Sequence, residues 1–251
     1  MPSALVRRPS PLLEQGLVSH IERQPVDYEL ARRQWNSYVA ALASAGWDLV
    51  EVPAAPDYPD SVFIEDTLVV AGDTAVVTRP GAPERRGETV EAAATVDALG
   101  YRLAMIAAPA TLDGGDVLKI GTRMYVGVGG RTTRSACRQL AEIFHTEVVE
   151  VPVTKVLHLK SAVTALPDGT VIGYPPLVDD PGAFDSFLPV PEEAGSHVVV
   201  LDPESVLLAA SAPRTAALLR DRGLNVQAVD ISEYEKLEGC VTCLSVRLRD
   251  R

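Results

Sequence analysis

A short β-rich run, a turn, a second β-rich run, a helical pattern and a third β-rich run recur along this chain. The recurrence is spaced at roughly 45–50 residues, within the range of repeat architectures. The pattern predicts strands over 62–64 and 74–78 around the turn signal Gly72-Asp73, a helix over 88–99 and a strand over 101–106. The order returns as a hairpin over 116–120 and 124–127 about Gly121-Thr122, a helix over 132–144 and a strand over 147–151. Strands over 162–166 and 170–173 then flank Pro167-Asp168-Gly169. A last round runs through strands over 197–201 and 205–208, a helix over 215–222 and a strand over 225–229. Nearer the N-terminus a helix over 35–45 precedes a strand over 47–52.

About five such units fit in the chain at that spacing. Hairpins alternating with single helices exclude a doubly wound sheet, which would read strand-helix throughout, and no Gly-x-Gly-x-x-Gly or Walker pattern is present. The class is α/β. Five units closing into a ring would let their first strands meet at a central channel, where residues distant in sequence converge. With 251 residues, 47% of them hydrophobic, the chain has enough apolar material for a sizeable core. No linker or low-complexity run divides it, so one domain over 1–251 is expected.

The formal net charge of -11 repels phosphate backbones and argues against nucleic acid as a partner, while weakly favouring a cationic small molecule. No apolar run approaches the roughly 18 residues that suggest a bilayer span. The start of the chain lacks the order of a secretory signal, and three cysteines make no disulfide framework at this length. A cytoplasmic protein away from membranes is expected. Oligomeric state, a homodimer included, is left open.

Chemistry concentrates in two places: Leu237-Glu238-Gly239-Cys240-Val241-Thr242-Cys243-Leu244-Ser245-Val246 and Leu157-His158-Leu159-Lys160. A thiol and a distant histidine supply a nucleophile and a proton carrier if the fold joins them. Carboxylates at Glu65, Asp66 and Asp113 would suit the site to a cation such as a guanidinium. Cys240 and Cys243 form a C-x-x-C, normally a redox or zinc hint. A zinc site needs about four ligands and no second C-x-x-C or histidine pair accompanies this one, so no metal is expected. Cys137 falls in a helical pattern and reads as core. His20, His145 and His197 have no comparable context and read as surface residues.

Six blocks in order carry a family resemblance. They are Asp60-Ser61-Val62-Phe63-Ile64-Glu65-Asp66, Thr78-Arg79-Pro80-Gly81-Ala82-Pro83-Glu84-Arg85-Arg86, Leu112-Asp113-Gly114-Gly115-Asp116-Val117-Leu118, Gly130-Arg131-Thr132, Leu157-His158-Leu159-Lys160-Ser161 and Val241-Thr242-Cys243-Leu244-Ser245-Val246. Together they span nearly the whole chain, which resembles a dimethylarginine dimethylaminohydrolase of the guanidino-modifying (pentein) superfamily. The resemblance implies a five-bladed α/β propeller that hydrolyses methylated arginine to citrulline and a methylamine, with no cofactor. It implies Cys243 as nucleophile, His158 as general acid and then base, and Asp113 as the acid that holds His158. It further implies Asp66, with Glu65 beside it, on the guanidinium, and Asp60 on the substrate amino group. Backbone carbonyls at Leu17 and Leu237 would assist Asp60, and Arg85 and Arg131 would bind the carboxylate, Arg86 being a one-residue rival. Phe63, sharing a strand face with Glu65 by period two, would line the pocket. Asp116 ranks below Asp113 as an orienter of its turn.

Two rivals stand beside this reading. Arginine deiminases carry an acid two residues after the histidine, where this chain has Lys160, so an arginine or agmatine deiminase fits less well. A non-catalytic propeller binding protein would not need Cys243, His158 and Asp113 together.

Overall fold

In the computed structural model, which describes residues 2–248, every strand belongs to one of five three-stranded sheets. The chain opens with β1 (Ser3–Val6), α1 (Tyr28–Ser44) and β2 (Asp48–Glu51). Asp27 caps α1 by accepting a hydrogen bond from the Leu30 amide at 2.9 Å, which fixes where the helix starts. The second sheet holds β3 (Leu68–Ala71), β4 (Thr74–Val77), α2 (Thr89–Ala98) and β5 (Arg102–Met105), and the third holds β6 (Val117–Ile120), β7 (Arg123–Val128), α3 (Arg134–Phe144) and β8 (Glu147–Pro152). A single helical turn, α4 (Leu159–Ala162), leads into β9 (Val163–Ala165), β10 (Val171–Gly173) and β11 (Phe187–Pro189). The last full round is β12 (Val198–Asp202), β13 (Ser205–Ala209), α5 (Pro213–Asp221) and β14 (Asn225–Val229). The turn α6 (Ser232–Glu235) and β15 (Val246–Leu248) follow.

Each sheet has one plan: an antiparallel pair and a third strand parallel to its middle member. Tight hairpins such as that at Gly72 turn through a left-handed residue (φ 55°), a conformation glycine adopts without a Cβ clash. The parallel return needs a crossover, and a helix supplies it in four of the five units. In the unit of β9–β11 two short 3-10 turns, Pro175–Leu177 and Pro181–Ala183, replace the helix; three prolines there interrupt an α-helical ladder. The first sheet is split across the chain ends. β15 pairs antiparallel with β1, Leu5 opposite Val246, and so closes the ring.

β15 lies against β3, and β9 lies between β6 and β12. The first strands of the units therefore surround the central axis, and the five apolar clusters fill the spaces between sheets and helices. The five-bladed α/β propeller expected from the repeat is the fold. One strand differs from expectation: residues 62–64 form no strand, and the hairpin partner of β4 is β3, which begins a few residues later at Leu68. Ile64–Thr67 is instead a buried 3-10 turn that leads directly into β3. No helix of the described residues is long and apolar enough to cross a membrane.

Candidate active site

Asp66, Asp113, His158 and Cys243 all sit in the segment just before the first strand of a unit, ahead of β3, β6, β9 and β15 respectively. Arg85 and Arg131 occupy another repeated position, the connection from the second strand to the helix, after β4 and β7. The repeat thus delivers them to one end of the ring. There Leu17, Asp60, Phe63, Asp66, Arg85, Arg131, His158, Leu237 and Cys243 line one pocket of about 330 Å³, its mouth included, with Leu157, Glu238 and Gly239.

His158 is buried and its Nε2 lies 2.8 Å from Asp113 Oδ2. Asp113 Oδ1 accepts the Gly81 amide at 2.8 Å, so the carboxylate is held at both oxygens. The other ring nitrogen, Nδ1, is 3.8 Å from Asp66 Oδ1. Gly115 makes this stacking possible: a Cβ there would lie 2.7 Å from both His158 Nδ1 and Asp66 Oδ1, and the Gly115 amide donates to the latter at 2.9 Å. Burial alone would drive the imidazolium to a lower pKa, but Asp66, Asp113 and Asp116 outweigh it and raise His158 to about 9. At neutral pH the imidazole is therefore a proton donor. Burial would raise Asp113, yet the hydrogen bond and charge of His158 bring it below its usual range. Asp116, pushed up to about 6 by burial, accepts Thr132 Oγ1 at 2.6 Å and the Leu159 amide at 2.8 Å. It ties the loop of Arg131 to the segment that carries His158.

Cys243 is 8% exposed at the pocket and Cys240 2% exposed behind it, with 3.0 Å between the sulfurs. The hydrogen bond from Cys243 draws the Cys240 thiol down. The same bond, with burial beside Glu65 and Asp66, pushes Cys243 up. The pair thus loses its first proton easily and its second with difficulty.

The substrate-end residues divide into engaged and open groups. Arg85 is buried, with Nε and Nη2 on Glu88 at 3.0 and 2.8 Å and Nη1 on Asp66 Oδ2 at 2.6 Å; Nη2 also donates to the Asp60 and Phe63 carbonyls. Its guanidinium braces Asp66 and leaves little for a ligand beyond Nη1. Arg131, in contrast, buries an Nη1 with no protein partner beside the pocket. Arg86 donates to the Pro80 carbonyl and does not line the pocket. Asp60 accepts the Leu17 amide with both oxygens at 3.2 and 3.1 Å, and burial raises its pKa against the pull of Arg85. Phe63 packs edge-on against Tyr234 at 6.1 Å.

Glu65 is the residue the structure does not bring to the pocket. Because 63–65 is a tight turn rather than a strand, its carboxylate and Phe63 do not share a face, and Glu65 points toward the axis beneath the site. There it meets Lys160 Nζ at 2.6 Å, Arg247 Nη2 at 2.5 Å and Thr242 Oγ1 at 3.0 Å. Burial would raise its pKa, but Lys160 and Arg247 hold it below the usual carboxylate range. Glu65 so links the segment after His158 to the residue before Cys243. Glu65→Gln would leave two buried cations under-neutralised, a loss of about 3–5 kcal/mol when a buried pair is broken. Denaturant unfolding should show that loss, while KM changes by less than about twofold because the side chain does not face the pocket. A large KM rise with unchanged stability would restore Glu65 to the binding surface.

A further expectation fails at His197, which reads as a surface residue in the sequence. His197 is buried, its Nε2 2.8 Å from the Ser161 carbonyl, and sits just ahead of the inner strand β12, one unit after His158 stands ahead of β9. Glu88 and Arg7 were not visible as site supports in the sequence. Arg7, fully buried, donates from both Nη atoms to the Glu88 carbonyl at 3.1 Å, and only the i,i+3 spacing of Arg85 and Glu88 hinted at their pairing. Cys137 is core, as read.

An arginine deiminase family model matches residues 51–198. A dimethylarginine dimethylaminohydrolase of Streptomyces coelicolor is 59% identical over 100% of this chain and 99% of its own length. One of Pseudomonas aeruginosa is 34% identical over 97% of this chain and 98% of its own. Among solved structures, a histidine-to-glycine variant of a dimethylarginine dimethylaminohydrolase in adduct with S-methyl-L-thiocitrulline superposes with a TM-score of 0.91 at 32% identity, covering 99% of this chain and 100% of that one. The Pseudomonas aeruginosa enzyme, as a cysteine-to-serine variant with citrulline, superposes equally well at 0.91, covering 98% of each chain.

Proposed function

The chain belongs to the dimethylarginine dimethylaminohydrolase family, within the wider arginine deiminase family, and from that membership we propose how its own residues hydrolyse N-omega-methylated arginines to citrulline and an alkylamine. The observation that carries the assignment is the opening of Cys243 and His158 onto one pocket with His158 Nε2 fixed 2.8 Å from Asp113. The substrate guanidinium lies against Asp66, and its positive charge stabilises the Cys243 thiolate, whose proton is given up to water. The Cys243 thiolate attacks the guanidinium carbon. His158, charged at neutral pH and held through Nε2, gives its Nδ1 proton to the departing alkylamine. The resulting S-alkylthiouronium is attacked by water that His158 deprotonates, and collapse releases citrulline and the thiol. Arg131, with its unpartnered Nη1, takes the substrate carboxylate, assisted by Nη1 of Arg85, while Asp60 and the carbonyls of Leu17 and Leu237 take the amino group. One catalytic domain acting in the cytoplasm completes the proposal.

Specificity tests it. Lys160 is drawn off to Glu65, so a guanidinium here meets Asp66 without a second acid after the histidine. A dimethylated nitrogen has no N–H to give such an acid, and an unpaired buried acceptor would cost about 1–3 kcal/mol. Methylated arginines should therefore exceed arginine in kcat/KM. Agmatine, lacking the carboxylate, should fall a further roughly 10- to 100-fold by leaving Arg131 unpaired. Ammonia, methylamine and dimethylamine release measured on monomethylarginine, asymmetric dimethylarginine, arginine and agmatine decides the matter; faster turnover of arginine or agmatine would make this a deiminase.

A further inference from the structure

We propose that Cys240 and Cys243 are a disulfide site: a hydroperoxide entering the pocket converts them to a reversible intramolecular bridge that withdraws the thiol at the pocket and shields it from deeper oxidation. The observation is the 3.0 Å between two buried sulfurs, in a C-x-x-C that hydrolysis leaves half unused. The two residues close a turn, with the Cys243 amide donating to the Cys240 carbonyl at 3.1 Å. Turn ends of this kind lie within about 7 Å, and disulfides span Cα separations of about 4.4–6.8 Å. A sulfur shift of about 1 Å reaches the bonded length near 2.05 Å. Thr242 Oγ1, 3.2 Å from Cys240 Sγ and anchored on Glu65, holds the rear thiol in place. Only Cys243 lines the pocket, so the oxidant meets that sulfur first.

Passing the shared proton to Cys240 makes Cys243 the thiolate. Its sulfur attacks one oxygen of hydrogen peroxide, the O–O bond breaks, and Cys243 becomes a sulfenic acid. The departing hydroxide takes the proton of Cys240 and leaves as water. The Cys240 thiolate then attacks the Cys243 sulfur, the S–O bond breaks, and hydroxide leaves to collect the proton released when the pair first ionised. Two thiols and one peroxide thus give a disulfide and two waters. Without Cys240 the sulfenic acid has no resolving thiol and proceeds to the sulfinic acid, which ordinary thiols do not reduce.

That oxidation silences the enzyme rests on Cys243 being the nucleophile; that the bridge forms does not. The full-length protein is treated with graded hydrogen peroxide, then alkylated under denaturing conditions and mapped by mass spectrometry, with hydrolysis followed in parallel. Expected are a Cys240–Cys243 peptide lacking two hydrogens, Cys137 still alkylated, activity lost with bridge formation and at least nine-tenths regained with dithiothreitol. Cys240→Ala and Cys240→Ser should instead carry sulfinic acid on Cys243 and regain less than one-tenth. Wild-type protein that accumulates sulfinic Cys243 with Cys240 still alkylated, or that bridges only between molecules, overturns the proposal whatever the variants do. A bridge that forms without changing hydrolysis leaves the site standing and removes Cys243 from the reaction.

Discussion

Cys243→Ser is expected to reduce turnover by roughly 10³-fold or more, a loss of about 4 kcal/mol of transition-state stabilisation, while the fold and substrate affinity persist. The serine replaces sulfur in a nearly filled site, 8% exposed and packed within the cluster around Phe63 and Tyr234, so little volume is lost. Its hydroxyl cannot ionise at a pH where the cysteine pair gives up a first proton, and no base beside it compensates, since His158 already holds a proton at neutral pH. Binding groups are untouched: Arg131, Asp60 and Asp66 keep their places around the pocket. A rapidly quenched wild-type reaction should carry substrate mass on the Cys243 peptide, and the serine variant none. Cys240→Ser should retain most turnover, because Cys240 stands behind the nucleophile and does not line the pocket. Equal losses from the two substitutions would mean that the sulfurs act as a unit in hydrolysis itself.

What was legible in the chain follows what is periodic or local. The hairpins at Gly72, Gly121 and Gly169, the helices that cross back over four of the sheets and the spacing between units were readable because each is set by neighbours in sequence. The ring closure was less so. β1 reads as a short apolar run with no hairpin partner nearby, and its partner β15 lies at the other end of the chain, so local pattern carries no trace of the pairing. The helix-free unit hid its third strand for the same reason: Phe187–Pro189 pairs across two proline-bearing turns instead of following a helix. At the site, motifs identified which residues matter but not where they face. Glu65 and Asp66 are adjacent carboxylates of one turn. Asp66 is fixed on the pocket by Arg85 and the Gly115 amide, whereas Glu65 is pulled to the axis by Lys160 and Arg247. Likewise Arg85 and Arg131 look alike in sequence, and only packing shows that Glu88 and Asp66 have already engaged the first.

His158→Gln should lower kcat by about 10²–10⁴-fold, the usual contribution of a positioned general acid and base, with KM moving by less than about threefold. Glutamine can still donate a hydrogen bond to Asp113, which preserves the packing over Gly115, but it has no proton to give to an amine. The pH profile separates this role from a structural one. In the free enzyme His158 carries its proton below about 9, the carboxylates of Asp66, Asp113 and Asp116 having overcome the effect of burial. The acid form required for amine departure is therefore present at neutral pH and disappears as pH rises through about 9. Wild-type kcat/KM should fall tenfold per pH unit beyond that point, and the residual activity of the glutamine variant should lack this limb. Asp113→Asn should move the limb to lower pH, since it removes both the hydrogen bond to Nε2 and one of the charges that raise the imidazole. A glutamine variant with unchanged kcat and a large KM, or a wild-type limb that the variant retains, would assign His158 to binding and leave the proton to be carried by another group.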